Sequence, residues 1–449
     1  MSPIQDAPRF RARMLDLPTL EALSREMRRL EVDRGGIPLM APKGIVRAIL
    51  VEDVPTKAAN IIKQEALARG GDLVTPWMAA DFAADTVDVI VIGNVVTLRS
   101  LVAKLYRQTV YFLPEFADAL QDVLMKTVPG YLPVARRPGR QGLVVEETLD
   151  DLFGGRIPTA RGGRAVALPT LVPPPGTPDH AWHFGRETYM LGILEPEGGP
   201  LGGAPARADE AGPPEVLLER ARSLVAAGAR IVEVDAEGGA AAAGVAPLVR
   251  SLREALPGVL VAVRTTRAET ARTALAAGAH LLVTGAALRD DPDLREVVAE
   301  SGVPAVAVHA PPQPEYRDLM SDVARFFWDT LDAVTKAGAR VEQLLLDPGL
   351  GLQKTHEQDL ECTRRLRELT SFGRPLVYTP PARLAADPMG TAALVTLAVA
   401  GGADFVRVRD VGGIVGCVRT ADALVRGHLR PGEPDTGREP VHTPREGER

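Results

Sequence analysis

At 449 residues the chain is longer than the ~100–200 residues of a usual single domain, so more than one domain is expected. It is 45% hydrophobic and 24% charged with a formal net charge of −6, and no basic run stands out, which argues against nucleic acid as a partner. No apolar run reaches the ~18 residues of a membrane span, the opening residues carry no apolar signal core, and Cys362 and Cys417 form no disulfide framework, so no membrane association and a cytoplasmic location are expected.

In chain order, residues 11–120 read as a small α/β (α+β) domain. Arg47–Val51, Asp72–Thr75 and Val87–Ile92 have strand character. Pro55–Arg69 reads as a helix with proline at its start and Gly70-Gly71 just past its end, and Leu98–Gln108 reads as an amphipathic helix. Residues 121–182 carry clusters such as Pro173-Pro174-Pro175-Gly176 and read as a linker with short ordered pieces. Residues 431–449 are polar, rich in proline and charge, and read as a disordered tail.

Residues 183–430 repeat one unit, an apolar run of strand length followed by an amphipathic segment of helix length. The runs are Tyr189–Leu194, Arg230–Asp235, Val259–Arg264, His280–Thr284, Ala305–His309, Gln343–Asp347, Leu376–Thr379 and Phe405–Asp410. This regular alternation predicts a (β/α)8 TIM barrel, a fold of ~250 residues; an open doubly wound sheet is the alternative.

Function in such a barrel sits in the loops after the strands. Those positions offer Glu195 and a glycine-rich loop, Asp235 and Glu237, Arg264, Thr284, His309, Asp347, Tyr378 and Thr379, and then Arg407, Arg409 and Asp410. Asp347 and Glu237 can accept hydrogen bonds from an aminopyrimidine-like edge, a planar two-point recognition. Asp347 could instead only cap the turn that follows it. Arg264, Arg407 and Arg409 are cations at the same rim and point to an anionic group, unless they are structural ion pairs. His309 is a further ligand-binding candidate, although it reads somewhat more readily as a satisfied core or rim histidine. The seven histidines show no metal-ligand spacing.

The segment Asp347-Pro348-Gly349-Leu350-Gly351-Leu352-Gln353-Lys354-Thr355 resembles the pterin-binding loop of dihydropteroate synthases, which reads roughly DPGxGFxKT. Tyr189–Leu194, the stretch from Gly228 to Val234, Asp290-Asp291-Pro292, His309 and Arg407–Val411 fall in register with the same family. In the N-terminal domain, Met40–Lys43 and Ala58–Glu65 resemble an extension found on some bacterial members. The resemblance implies a pterin-binding barrel linked to folate biosynthesis, in which a hydroxymethyl-dihydropterin pyrophosphate is joined to p-aminobenzoate. It implies that Asp347 holds the pterin edge, that Arg407 meets the pyrophosphate and that Lys354 belongs to the binding loop. It also implies Mg2+ as a cofactor, with Glu195 at the metal position, and a homodimer.

Measured against the family's pattern, several positions differ. Glu195 stands for an asparagine, Arg264 for a pterin-binding aspartate, Val283 for an asparagine, Arg409 for a histidine and Pro380-Pro381-Ala382 for Ser-Arg-Lys. The expectation is therefore a dihydropteroate synthase-like barrel whose ligand is a pterin or a phosphorylated compound and whose standard condensation is in question. One alternative is a repurposed, non-catalytic barrel binding a pterin or another anion, with Arg264 paired to Asp347 or Glu237. A further alternative is a folate-dependent methyltransferase.

Overall fold

The computed structural model describes residues 15, 17, 19–128, 130–131, 133–134, 137–139, 142–144, 187–194, 214–237, 239–285, 287–311, 315–381, 383–384 and 388–426. Glu195, the glycine-rich loop after it, residues 145–182 of the expected linker and the tail from 431 lie outside these residues. The chain divides into two units, 1–167 and 168–449.

In the first unit β1 (Val46–Pro55), β2 (Asp72–Val74) and β3 (Thr86–Asn94) form an antiparallel sheet in the order β1-β3-β2, with Leu50 opposite Ile90. The helix Thr56–Leu67 buries Ala58, Ala59, Ile62 and Ala66, the spacing of one helical face. The next helix spans Val95–Leu105, three residues earlier than the sequence suggests at each end. Asn94 is the reason: its side chain accepts from the Thr97 amide at 2.9 Å and starts the helix there. The helix Leu113–Thr127 continues past 121, where the sequence places the linker, because Phe116, Ala117, Leu120 and Leu124 pack into the same core. A two-stranded ribbon follows, β4 (Arg137–Gly139) and β5 (Gly142–Val144).

The second unit is the expected barrel. Its strands are β6 (Tyr189–Leu194), β7 (Ile231–Asp235), β8 (Leu260–Arg264), β9 (Leu281–Thr284), β10 (Ala305–Val308), β11 (Leu344–Asp347), β12 (Val377–Tyr378) and β13 (Phe405–Val408). All run parallel in the order β11-β10-β9-β8-β7-β6-β13-β12. A parallel bridge between Leu346 and Leu376 joins β11 to β12 and closes the cylinder. Helices alternate with these strands, and both strand faces are buried, as a parallel sheet requires.

Side chains alternate between two layers. Ile231, Ala262, Val306, Val308, Leu345, Val377 and Phe405 fill the barrel interior. Val232, Val234, Val261, Val263, Ala305, Ala307, Leu344 and Leu346 face the surrounding helices. This parity decides which strand-end residues reach the mouth. Glu233 and Asp235, Arg264, Asp347 and Arg407 continue the inner rows, whereas His309 continues the outer one. Cys362 and Cys417 lie on separate helices, and both are free thiols.

Candidate functional site

Asp347 closes β11 at the carboxyl end of the barrel and is 2% exposed. Its Oδ1 accepts from the Gly349 amide at 2.7 Å, and its Oδ2 accepts from the Thr379 hydroxyl at 2.9 Å. Burial holds the carboxyl above its ordinary pKa, opposed by the Gly349 N–H, Arg407, Thr379 and Lys354. Each oxygen keeps a further lone pair, since a carboxylate can accept about four hydrogen bonds. Asp347 makes no ion pair with any described residue.

The arginines at the rim are engaged. Arg407 meets Glu233 through two parallel bonds: Nε donates to Oε2 at 2.7 Å and Nη2 donates to Oε1. Burial works against the guanidinium charge, and Glu233 more than offsets it, so Arg407 stays cationic. Arg264 donates through Nη1 to Asp235 Oδ2 at 2.7 Å. The sequence-based alternative named Asp347 or Glu237 as its partner, and neither is. Asp235 lies directly opposite Arg264 in the pairing of β7 with β8, and it wins on proximity. Glu237 instead accepts from the Thr266 hydroxyl at 2.8 Å, and its amide donates to Asp235 at 3.0 Å. Arg409 lies two residues beyond Arg407 and is half-buried. Arg383, on the segment after β12, pairs with the buried Asp359 at 3.2 Å and also donates to the Lys354 carbonyl.

Two further candidates, Lys354 and His309, meet each other. Lys354 is 4% exposed, and its Nζ lies 2.8 Å from His309 Nδ1, 3.3 Å from the His309 carbonyl and 3.2 Å from the Gly349 carbonyl. An ammonium has no lone pair, so the ring nitrogen is the acceptor. His309 packs against Tyr316, Phe326 and Phe327 in the outer layer. Burial and the Lys354 charge push its imidazole down to about 2, so it is neutral. Burial pulls the Lys354 ammonium down to about 8, partly offset by Cys362, Asp359 and Asp347.

Glu233 and Asp235 are the residues that motif reading passed over as partners. Their signal was the period of two in Ile231-Val232-Glu233-Val234-Asp235, acids alternating with valines on a strand. Glu195, expected from the resemblance to sit at a Mg2+ position, lies outside the described residues, and no described group of three or more His, Cys, Asp or Glu side chains could hold a metal ion. The described donors thus make no cation site of their own. Among the described residues, no helix is long and apolar enough to cross a membrane.

Comparison with known proteins adds a family. A family model described as pterin binding enzyme matches residues 211–409. The dihydropteroate synthase of Synechocystis sp. is 32% identical over 279 residues, covering 54% of this chain and 92% of that protein. A probable bifunctional folylpolyglutamate synthase/dihydropteroate synthase from Haloferax volcanii is 29% identical over 402 residues, 82% of this chain and 42% of that protein. That match is longer than the barrel unit, so the likeness runs into the N-terminal unit. The solved structure of Yersinia pestis dihydropteroate synthase with a sulfonamide drug complex has a TM-score of 0.49 at 25% identity, covering 56% of this chain and 97% of that one.

Proposed function

This chain belongs to the dihydropteroate synthase family, and from that premise we propose that its barrel binds a pterin edge-on at Asp347 as part of folate biosynthesis. The observation that carries the reading is the state of Asp347: interior-facing, buried, held by Gly349 and Thr379, and without a cationic partner among the described residues. A pterin presents an exocyclic amine and a ring N–H side by side, and a carboxylate takes both in two parallel bonds. In a water-poor mouth such a pair discriminates strongly, because a ligand lacking the donors leaves a buried carboxylate unsatisfied.

The reaction expected of this family, joining the pterin to p-aminobenzoate with loss of pyrophosphate, needs cationic help for the leaving group. Arg407 is the described residue suited to that role, with Nη1 still available beside its two bonds to Glu233.

A second reading is binding without condensation. It is favoured by the engagement of Arg264, Arg383 and Arg407 with Asp235, Asp359 and Glu233, which offsets charge that a pyrophosphate would use.

Calorimetric titration with a 6-hydroxymethylpterin pyrophosphate analogue and Mg2+, against Asp347→Asn as control, tests the proposal. Binding weakened by about 10–100-fold in the variant is expected for loss of a charge-assisted pair. Turnover with p-aminobenzoate then separates the two readings. No binding by the folded wild type would sink both.

A further inference from the structure

We propose that Lys354 is a positioning residue, buried behind the binding loop, where it clamps the ends of β10 and β11 together and so fixes the orientation of the Asp347 carboxylate. The clamp itself stands on geometry alone; its consequence for ligand binding rests on the pterin reading above.

A chain of contacts carries the idea. Lys354 Nζ holds the Gly349 carbonyl at 3.2 Å, and the amide of the same Gly349 donates to Asp347 Oδ1 at 2.7 Å. Lys354 also holds the ring and carbonyl of His309, whose amide donates to the Asp347 carbonyl at 2.8 Å. The two strand ends are thus tied at main chain and side chain through one ammonium. The contact is close-packed: Gly349 sits at φ +64, and a Cβ there would collide with the His309 carbonyl.

The loop needs such a tie. Gly349, Gly351 and Gln353 alternate through the left-handed region at φ +64, +75 and +57, and Gln353 has a Cβ that disfavours it. Backbone of this kind persists where its surroundings over-determine it. On the other side of the loop, Asp359 accepts from the Gly351 amide at 2.9 Å and pairs with Arg383, which also holds the Lys354 carbonyl. The loop is fastened on both sides, and Lys354 is the fastener on the side of Asp347.

Charge gives the clamp a measurable signature. Lys354 is faced by His309 just past β10, Asp347 from β11, Asp359 and Cys362 from the helix His356–Arg364, and Arg383 from beyond β12, while Arg289 bears on the neighbouring His309. His309 is neutral, and burial pushes the Cys362 thiol up to about 11. In the closed loop Lys354 binds its proton less tightly than in an opened one, so closure is favoured progressively as pH rises above about 8.

Hydrogen exchange of the 347–355 segment, run with pterin titration on wild type and Lys354→Met, is the test. After correction for intrinsic rates, wild-type protection of that segment should rise as pH climbs above about 8 and stay flat in the variant. The variant should keep its global unfolding midpoint, lose protection in 347–355 and bind the pterin about tenfold more weakly. Unchanged protection and pH dependence in Lys354→Met would overturn the clamp. Should Lys354→Met fail to fold, Lys354→Gln takes its place: lost protection in 347–355 supports the clamp, and protection equal to wild type overturns it. A wild type that binds no pterin fails the proposed function, while the exchange data still decide the clamp.

Discussion

Glu233 and Arg407 face each other inside the barrel, one from β7 and one from β13, joined by two parallel hydrogen bonds although neither was matched to the other by motif. Glu233 is fully buried and the Arg407 side chain is 15% exposed. Truncating one partner therefore leaves an uncompensated buried charge. Glu233→Ala should lower stability by about 3–5 kcal/mol, read as a shifted midpoint in urea unfolding. Glu233→Leu combined with Arg407→Met should recover most of the loss, because the cost comes from the orphaned charge. A double variant as unstable as the single one would refute this account.

The Arg264–Asp235 pair looks similar in distance and should behave differently. Its side chains are 33% and 18% exposed, so water screens the attraction. Arg264→Ala should cost about 1 kcal/mol or less, with the difference shrinking in high salt. A loss as large as that at Glu233 would mean that exposure is the wrong guide here.

Gly349→Ala should be far worse than its size suggests. The added methyl would strike the His309 carbonyl while the backbone sits in a region that costs an L-residue about 1–2 kcal/mol. Together with overpacking, the expected loss is about 3 kcal/mol, with weakened pterin affinity because the Gly349 amide would move off Asp347. Gly258, where an added methyl would meet nothing within 4 Å, is the control: Gly258→Ala should be near neutral.

Acid should destabilise the barrel before its carboxylates are involved. His309 is pushed down to about 2, and His280, buried where its Nδ1 accepts from the Val261 amide, is pushed down to about 4. Both folded values lie below the unfolded value of about 6.5, so the unfolded chain takes up protons first. The stability due to these neutral rings is fully present above pH ~6.5 and is lost as pH falls, at up to about 1.4 kcal/mol per pH unit for each ring. His309→Gln should flatten the slope of unfolding free energy between about pH 6.5 and 4. An unchanged slope would remove His309 from the account.

The barrel was legible because each strand is a short apolar run bounded by a helix-length segment, and all eight runs lie where the structure has strands. Asp347 was legible for the same reason, since a strand-end acid before Pro-Gly has few other places to be. The pairing of Lys354 with His309 was not legible because a motif fixes order along the chain and not the side of a strand, whereas the reading of His309 as a packed histidine agrees with its place in the structure. His309 follows Val306 and Val308 of the inner row by an odd step, which turns it toward Phe326 and Phe327. The partner of Arg264 was missed because cross-strand register, which sets Asp235 opposite it, cannot be read from either strand alone. The helix at Val95 began early because a single asparagine outweighed the apolar pattern.

The closure of the barrel carries a consequence for any ligand. β12 is two residues long, and it meets β11 through the single bridge between Leu346 and Leu376. This is the thinnest stitching in the cylinder, and Asp347 and Thr379 stand just above it, one on each side, joined by their own hydrogen bond. A molecule seated on Asp347 would act as a rivet across that seam. Ligand occupancy should thus slow the unzipping of the whole cylinder, and the rate at which the protein opens under heat becomes a gauge of what its mouth is holding.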